Sequence, residues 1–103
     1  MSEITIRCPH TLGLERARRI ENAWVKNVTK KLEMTCSTEV GQDKDVVTFQ
    51  RAGANGVMEV TADCIEVRLS LGLLLSPFKG QIESAVRQQL ETSINKEANR
   101  VDA

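Results

Sequence analysis

The stretch Ile65-Glu66-Val67-Arg68-Leu69-Ser70-Leu71-Gly72-Leu73-Leu74-Leu75-Ser76-Pro77-Phe78-Lys79-Gly80 decides the fold, because a two-residue period stops inside it and a helical one begins. Ile65, Val67, Leu69 and Leu71 alternate with Glu66, Arg68 and Ser70, which marks a strand with one buried and one solvated face. Ser76-Pro77 reads as a helix start, with Ser as N-cap and Pro in the first turn. Phe78, Ile82, Ala85, Val86, Leu90 and Ile94 then recur at helical spacing and carry that helix to about Asn95 or beyond.

Working outward, the same two periods sort the rest of the chain. Ile4, Ile6 and Cys8 alternate with Thr5 and Arg7 in a strand that Pro9, which lacks an N–H for a ladder, brings to an end. Thr11 is placed to cap a helix from about Leu12 to Glu33, whose inward stripe is Leu14, Ala17, Ile20, Trp24, Val28 and Leu32. Met34, Cys36, Thr38 and Val40 alternate again. Gly41 to Asp45 is a turn by composition, Val46 to Arg51 is rich in β-formers, and Gly53-Ala54-Asn55-Gly56 reads as a hairpin loop. Val57 to Ala62 follows with Met58, Val60 and Ala62 inward. The order is β-α-β-β-β-β-α. Short links between strands favour antiparallel pairing, so the expectation is an α+β fold, a curved antiparallel sheet with two helices on one face.

The chain has 103 residues, of which 41% are hydrophobic and 27% charged. That describes one globular domain spanning 1–103, with a polar tail from about residue 96 to 103 expected to fray. Fourteen Lys and Arg balance fourteen Asp and Glu, which disfavours a strongly basic nucleic-acid binder. The balance hides an asymmetry. Residues 1–31 hold seven basic residues against three Glu, and residues 32–66 hold two against seven acidic ones. A basic first helix meeting an anionic partner is one reading of this, and a solvated helix face is the other. No apolar run approaches the roughly 20 residues that span a bilayer, and the N-terminal stretch lacks an apolar run of signal-peptide length. The three cysteines, Cys8, Cys36 and Cys64, form no CxxC, and His10 is the single histidine. Too few ligands are at hand for a Cys/His zinc site, and no cofactor motif is present. Reduced thiols in a cytoplasm are the simplest reading.

Several residues invite chemistry. Cys8-Pro9-His10 raises a thiol–imidazole dyad, although Cys8 shares the inward phase of Ile4 and Ile6 and reads better as core. Glu21 falls on the apolar stripe of the first helix. It is read chiefly as an edge residue whose stem reaches water, with a raised-pKa acid in a pocket as the rival. Gln89 intrudes on the inward stripe of the second helix, as do Ser93 and Glu97, and offers a polar anchor for a pocket. The most unusual segment is the corner after the last strand. Strand-to-helix corners are normally polar, yet here Leu73, Leu74, Leu75 and Phe78 surround one, with Lys79 at its boundary. Some of them cap the core or some stay free for an outside surface, and the residues favour both about equally, two in and two out.

That corner, from Val67 to Glu83, resembles the C-terminal signature of the polyhydroxyalkanoic acid system family, small bacterial proteins named from genes lying near those for polyester synthesis and granules. His10-Thr11-Leu12-Gly13-Leu14 is similar to the family's His-x-Leu-Gly-Leu opening. Asp45-Val46-Val47-Thr48-Phe49 resembles its middle strand and Gly53 to Val60 the hairpin after it, so the likeness spans about residues 3–95. The resemblance implies a bacterial cytoplasmic protein connected with polyhydroxyalkanoate storage, and it carries over no catalytic residues. The leading expectation is a non-enzymatic accessory protein that meets the granule surface or a granule protein through Leu73, Leu74, Leu75, Phe78 and Lys79. An acyl-chain or small apolar-ligand module anchored by Glu21 or Gln89 comes second, and a thiol-dependent hydrolase third. Two open sheet edges and a leucine-rich corner leave room for a homo-oligomer.

Overall fold

Antiparallel pairing of the alternating segments brings their apolar sides into register. The computed structural model describes residues 2–100. Strand β1 (Ser2–Pro9) is followed by helix α1 (Leu14–Lys31), strands β2 (Thr35–Val40), β3 (Lys44–Arg51), β4 (Ala54–Thr61) and β5 (Cys64–Leu71), a 3₁₀ turn (Ser76–Phe78) and helix α2 (Lys79–Ala98). The strands form one sheet in the order β1-β5-β4-β3-β2, every neighbour antiparallel. The fold is α+β with the expected element order.

Register explains the core. One row across the sheet runs Ile4, Leu69, Gly56, Phe49, Cys36; the next runs Ile6, Val67, Met58, Val47, Thr38; a third runs Cys8, Ile65, Val60, Asp45, Val40. Over the first four strands nearly all of these side chains are buried, beneath Ala17, Ile20, Trp24 and Val28 of α1 and Leu90 of α2. Phe49 holds Trp24 edge-on, with ring centroids 4.9 Å apart and planes at 69°. The ring fits because position 56 is glycine. A Cβ there would lie 2.7 Å from Phe49 Cζ and closer still to the Arg68 carbonyl oxygen. The opposite face carries charge. Glu59 pairs with Lys44 at 3.0 Å and Arg68 at 3.2 Å, and Glu66 with Arg7 at 3.7 Å.

Five local expectations need correction. Thr11 does not cap α1. The helix begins at Leu14 with Gly13 at φ 83° as the cap residue and no side-chain cap. Backbone bonds set its entry: His10 N–H donates to the Asp63 carbonyl at 2.9 Å and Gly13 N–H to that of Ala62 at 3.1 Å. Nor does Ser76 cap α2, since its hydroxyl donates to the Gly72 carbonyl at 3.0 Å. The β3–β4 hairpin is tighter than read, with Ala52 and Gly53 (φ 88°) as the turn and Asn55 and Gly56 already in β4. Ala62 is exposed in the β4–β5 link. Strand β2 keeps the alternating phase, but Thr38 and Val40 are exposed because it lies at an edge that α1 touches lightly and α2 does not cover.

Helix α2 departs most from its expected stripe. Leu90 alone of the apolar set is buried, Ile82, Val86 and Ile94 are half-buried, and Phe78 and Ala85 are exposed. The helix also runs past Asn95 to Ala98, where Glu97 is buried against α1. Glu97 Oε1 accepts from Arg19 Nη1 at 3.0 Å and lies 3.5 Å from Arg16 Nε, and its backbone carbonyl accepts from Arg16 Nη2. Residues 101–103 of the expected frayed tail lie outside the described residues.

Candidate functional site

Strand β5 ends at Leu71, and the chain must reverse onto the helical layer within a few residues. It does so around one carbonyl: Gly72 O accepts from the Leu75 and Ser76 amides at 3.2 and 3.0 Å as well as from the Ser76 hydroxyl. Phe78 N–H then donates to Leu75 O at 2.9 Å. This tight turn leaves no room to fold every leucine inward. Leu73 is 81% exposed, Leu74 89% and Phe78 50%. Leu75 is half-buried and packs on the core, and Lys79 is exposed beside Phe78. The expected even division becomes one residue in, two out and one half out.

Behind the corner lies a cleft of about 520 Å³ between α1, the sheet and the first half of α2. Trp24, Phe49, Leu71 and Val86 are among its walls, and Leu74 and Leu75 close the end nearest the corner. Gln89 lines it as a polar group, and Arg51 is its one charged side chain. Sequence reasoning missed Arg51. The available signal was that it is the only cation between Lys44 and Arg68.

Glu21 is not part of this cleft. The reading of it as an edge residue reaching water is overturned, because it is 2% exposed. Asp45, at an inward position of β3, is 1% exposed and meets Arg18 through two bonds, Nε to Oδ2 at 2.9 Å and Nη2 to Oδ1 at 3.0 Å. Arg18 Nη2 also donates to Gly41 O at 2.7 Å. The guanidinium holds Asp45 below its ordinary pKa. Burial first, then the hydrogen bond and charge of Asp45, push Glu21 up to about 7. Glu21 Oε1 and Trp24 Nε1, one helical turn apart, have no hydrogen-bond partner. The acid pair is buried in the core, outside the lining of the cleft.

The arginines of α1 are largely spent inside the molecule: Arg18 on Asp45, Arg16 and Arg19 on Glu97. Cys8 is 3% exposed and burial pushes its thiol up. His10 Nδ1 accepts from Leu12 N–H at 3.1 Å, so Nε2 carries the proton and faces Thr61 O at 3.1 Å. Both imidazole nitrogens are thus engaged with backbone, and burial lowers the ring's pKa. The pair lacks the activated thiolate and free base that cysteine catalysis requires. Among the described residues, all three cysteines are free and no three His, Cys, Asp or Glu side chains gather to hold a metal ion. No helix among them is long and apolar enough to cross a membrane.

Comparison with known proteins gives one result. The model of the family described as "Putative polyhydroxyalkanoic acid system protein" matches residues 4–94. The chain belongs to that family. No curated protein and no solved structure matches it.

Proposed function

We propose that this member of the polyhydroxyalkanoic acid system family is a non-enzymatic accessory protein that docks on the polyester surface of storage granules through its apolar corner. The observation that carries the reading is the outward projection of Leu73 and Leu74 beside a half-exposed Phe78. Two adjacent leucines this exposed on a small domain gain little from the fold and favour an apolar surface outside it. Full burial is worth about 1.5–3 kcal/mol for each such side chain, so three suffice for reversible docking. Lys79 is placed to keep its ammonium in water while its stem lies along the contact. Leu75 belongs to the support of the corner, because it packs on the core.

The test is co-sedimentation with protein-free polyhydroxyalkanoate particles, run beside native granules. Wild-type chain should pellet with both. The double variant Leu73→Ser, Phe78→Ser should retain its circular dichroism spectrum and lose at least about tenfold in affinity, as expected when two such contacts are removed. Binding to native granules but not to bare particles would assign the partner to a coat protein and overturn the surface reading. Undiminished binding by the folded variant would overturn the role of the corner.

A further inference from the structure

We infer that the cleft between α1, the sheet and the first half of α2 is a binding site for an unbranched acyl chain with an anionic head, the chain lying along Trp24, Phe49, Leu71 and Val86 and the head meeting Arg51. The volume, about 520 Å³, falls within the range of small-molecule sites, about 300–1,000 Å³. Its walls are almost wholly apolar, so water gains few hydrogen bonds there and an alkyl chain loses none. The cleft is not a packing accident spread over the core. Ile4, Ile6 and Cys8 of β1 and every inward residue of β5 are buried, whereas Ile82 and Val86, the apolar α2 residues facing the cleft, are only half-buried.

The head group follows from charge. Arg51 ends β3 at the hairpin turn, is exposed, and donates through Nη1 to the Leu32 carbonyl at 2.8 Å. That bond aims the guanidinium across the rim formed by Leu32 and leaves further N–H donors for a ligand. No carboxylate pairs with it among the described residues. An unpaired guanidinium at the edge of an apolar slot is complementary to a carboxylate on an alkyl chain, and two parallel N–H···O bonds can seat it. Gln89, on α2, offers an amide to a hydroxyl or carbonyl further along the chain.

The site carries its own reporter, since Trp24 is the only tryptophan and lines the cleft. Titrating sodium alkanoates from hexanoate to tetradecanoate should change its emission saturably. Each added methylene should tighten binding about fourfold until the cleft is full, after which affinity levels off. Arg51→Gln should weaken decanoate about fivefold to tenfold and leave methyl decanoate unchanged. Val86→Trp should fill the slot and abolish both. No saturable response at any chain length, or affinity independent of chain length, would overturn the proposal. So would a folded Val86→Trp variant that still binds. The chain-length series uses the wild-type protein, so it decides the matter even if Val86→Trp fails to fold. Leu73 and Phe78 do not line the cleft, so their double variant should bind decanoate normally, and granule docking and acyl binding fail independently.

Discussion

Helix α1 sends Ala17, Ile20, Glu21, Trp24 and Val28 into the core over 18 residues, whereas α2, with 20 residues, buries only Leu90 and Glu97. The two helices meet the same sheet face with different means. The first has a full apolar stripe and closes the centre of the sheet. The second has a sparse stripe and is held where an ion cluster ties its last turns to α1. Its first half packs on the core only through half-buried Ile82 and Val86, and the apolar cleft lies beside them. Sealing a core and bounding a site are thus divided between two helices of similar length, according to how many apolar residues each supplies.

The strongest way to break this contrast is at its firm side. Trp24→Ala should cost about 3–5 kcal/mol, since it removes a buried aromatic and its edge-on contact with Phe49. Leu90→Ala should cost about 2–5 kcal/mol, and Val86→Ala well under the Leu90 figure, because Val86 is only half-buried. Urea denaturation measures all three. Equal losses at Leu90 and Val86 would mean that α2 is seated evenly and that the cleft is not a real gap.

Next comes the acid pair under α1. Glu21 has its folded-state pKa raised from 4.5 to about 7. The folded chain therefore keeps a proton that the unfolded chain has lost, and stability falls as pH rises through that window. Asp45, held low by Arg18, acts oppositely: its contribution is present above its ordinary 3.8 and lost as pH falls through its depressed folded value. Glu21→Gln keeps a donor towards Asp45 without the charge. It should stabilise by roughly 3 kcal/mol at pH 8 and by little at pH 4, in chemical denaturation at the two pH values. A pH-independent difference would remove the acid pair from the account.

The clamp on α2 is a smaller effect. Glu97→Ala removes the carboxylate that accepts from Arg19 Nη1 and faces Arg16, and should cost about 1–2 kcal/mol. The diagnostic is where the loss appears: amide exchange should quicken in α2 and stay unchanged in α1. The smallest effect sharpens the exit of α1. Glu33 sits at φ 54°, in the left-handed region, between the helix and buried Met34. Glu33→Gly should stabilise by up to about 1 kcal/mol in a thermal melt, as relief of that backbone cost.

The site was legible in part. Four apolar residues around a corner stand out in a sequence, and Gln89 is conspicuous on an apolar stripe. How the corner divides was not legible, because it turns on the convergence of donors on the Gly72 carbonyl. Glu21 was misjudged for a related reason. On its own helix it sits beside Arg18, at i−3, and looks able to reach water. Asp45 arrives from β3, 24 residues on, claims that arginine and leaves Glu21 enclosed. For Arg51 the sequence offered only its isolation among cations between Lys44 and Arg68, since the folding of β3 beside α1, β5 and α2 is what brings it to the cleft.

The amino-acid order by itself determined which segments are strands and helices, their succession, and the inward phase of Ile4, Ile6, Met58, Val60, Ile65 and Val67, because period and turn chemistry are properties of neighbouring residues. Tertiary structure alone decided what covers each inward side chain. It left Thr38 and Val40 bare, shut in Glu21, and opened the cleft under α2. A periodic pattern states which way a side chain points, whereas burial requires that another element arrive, and that depends on contacts between residues far apart in the chain.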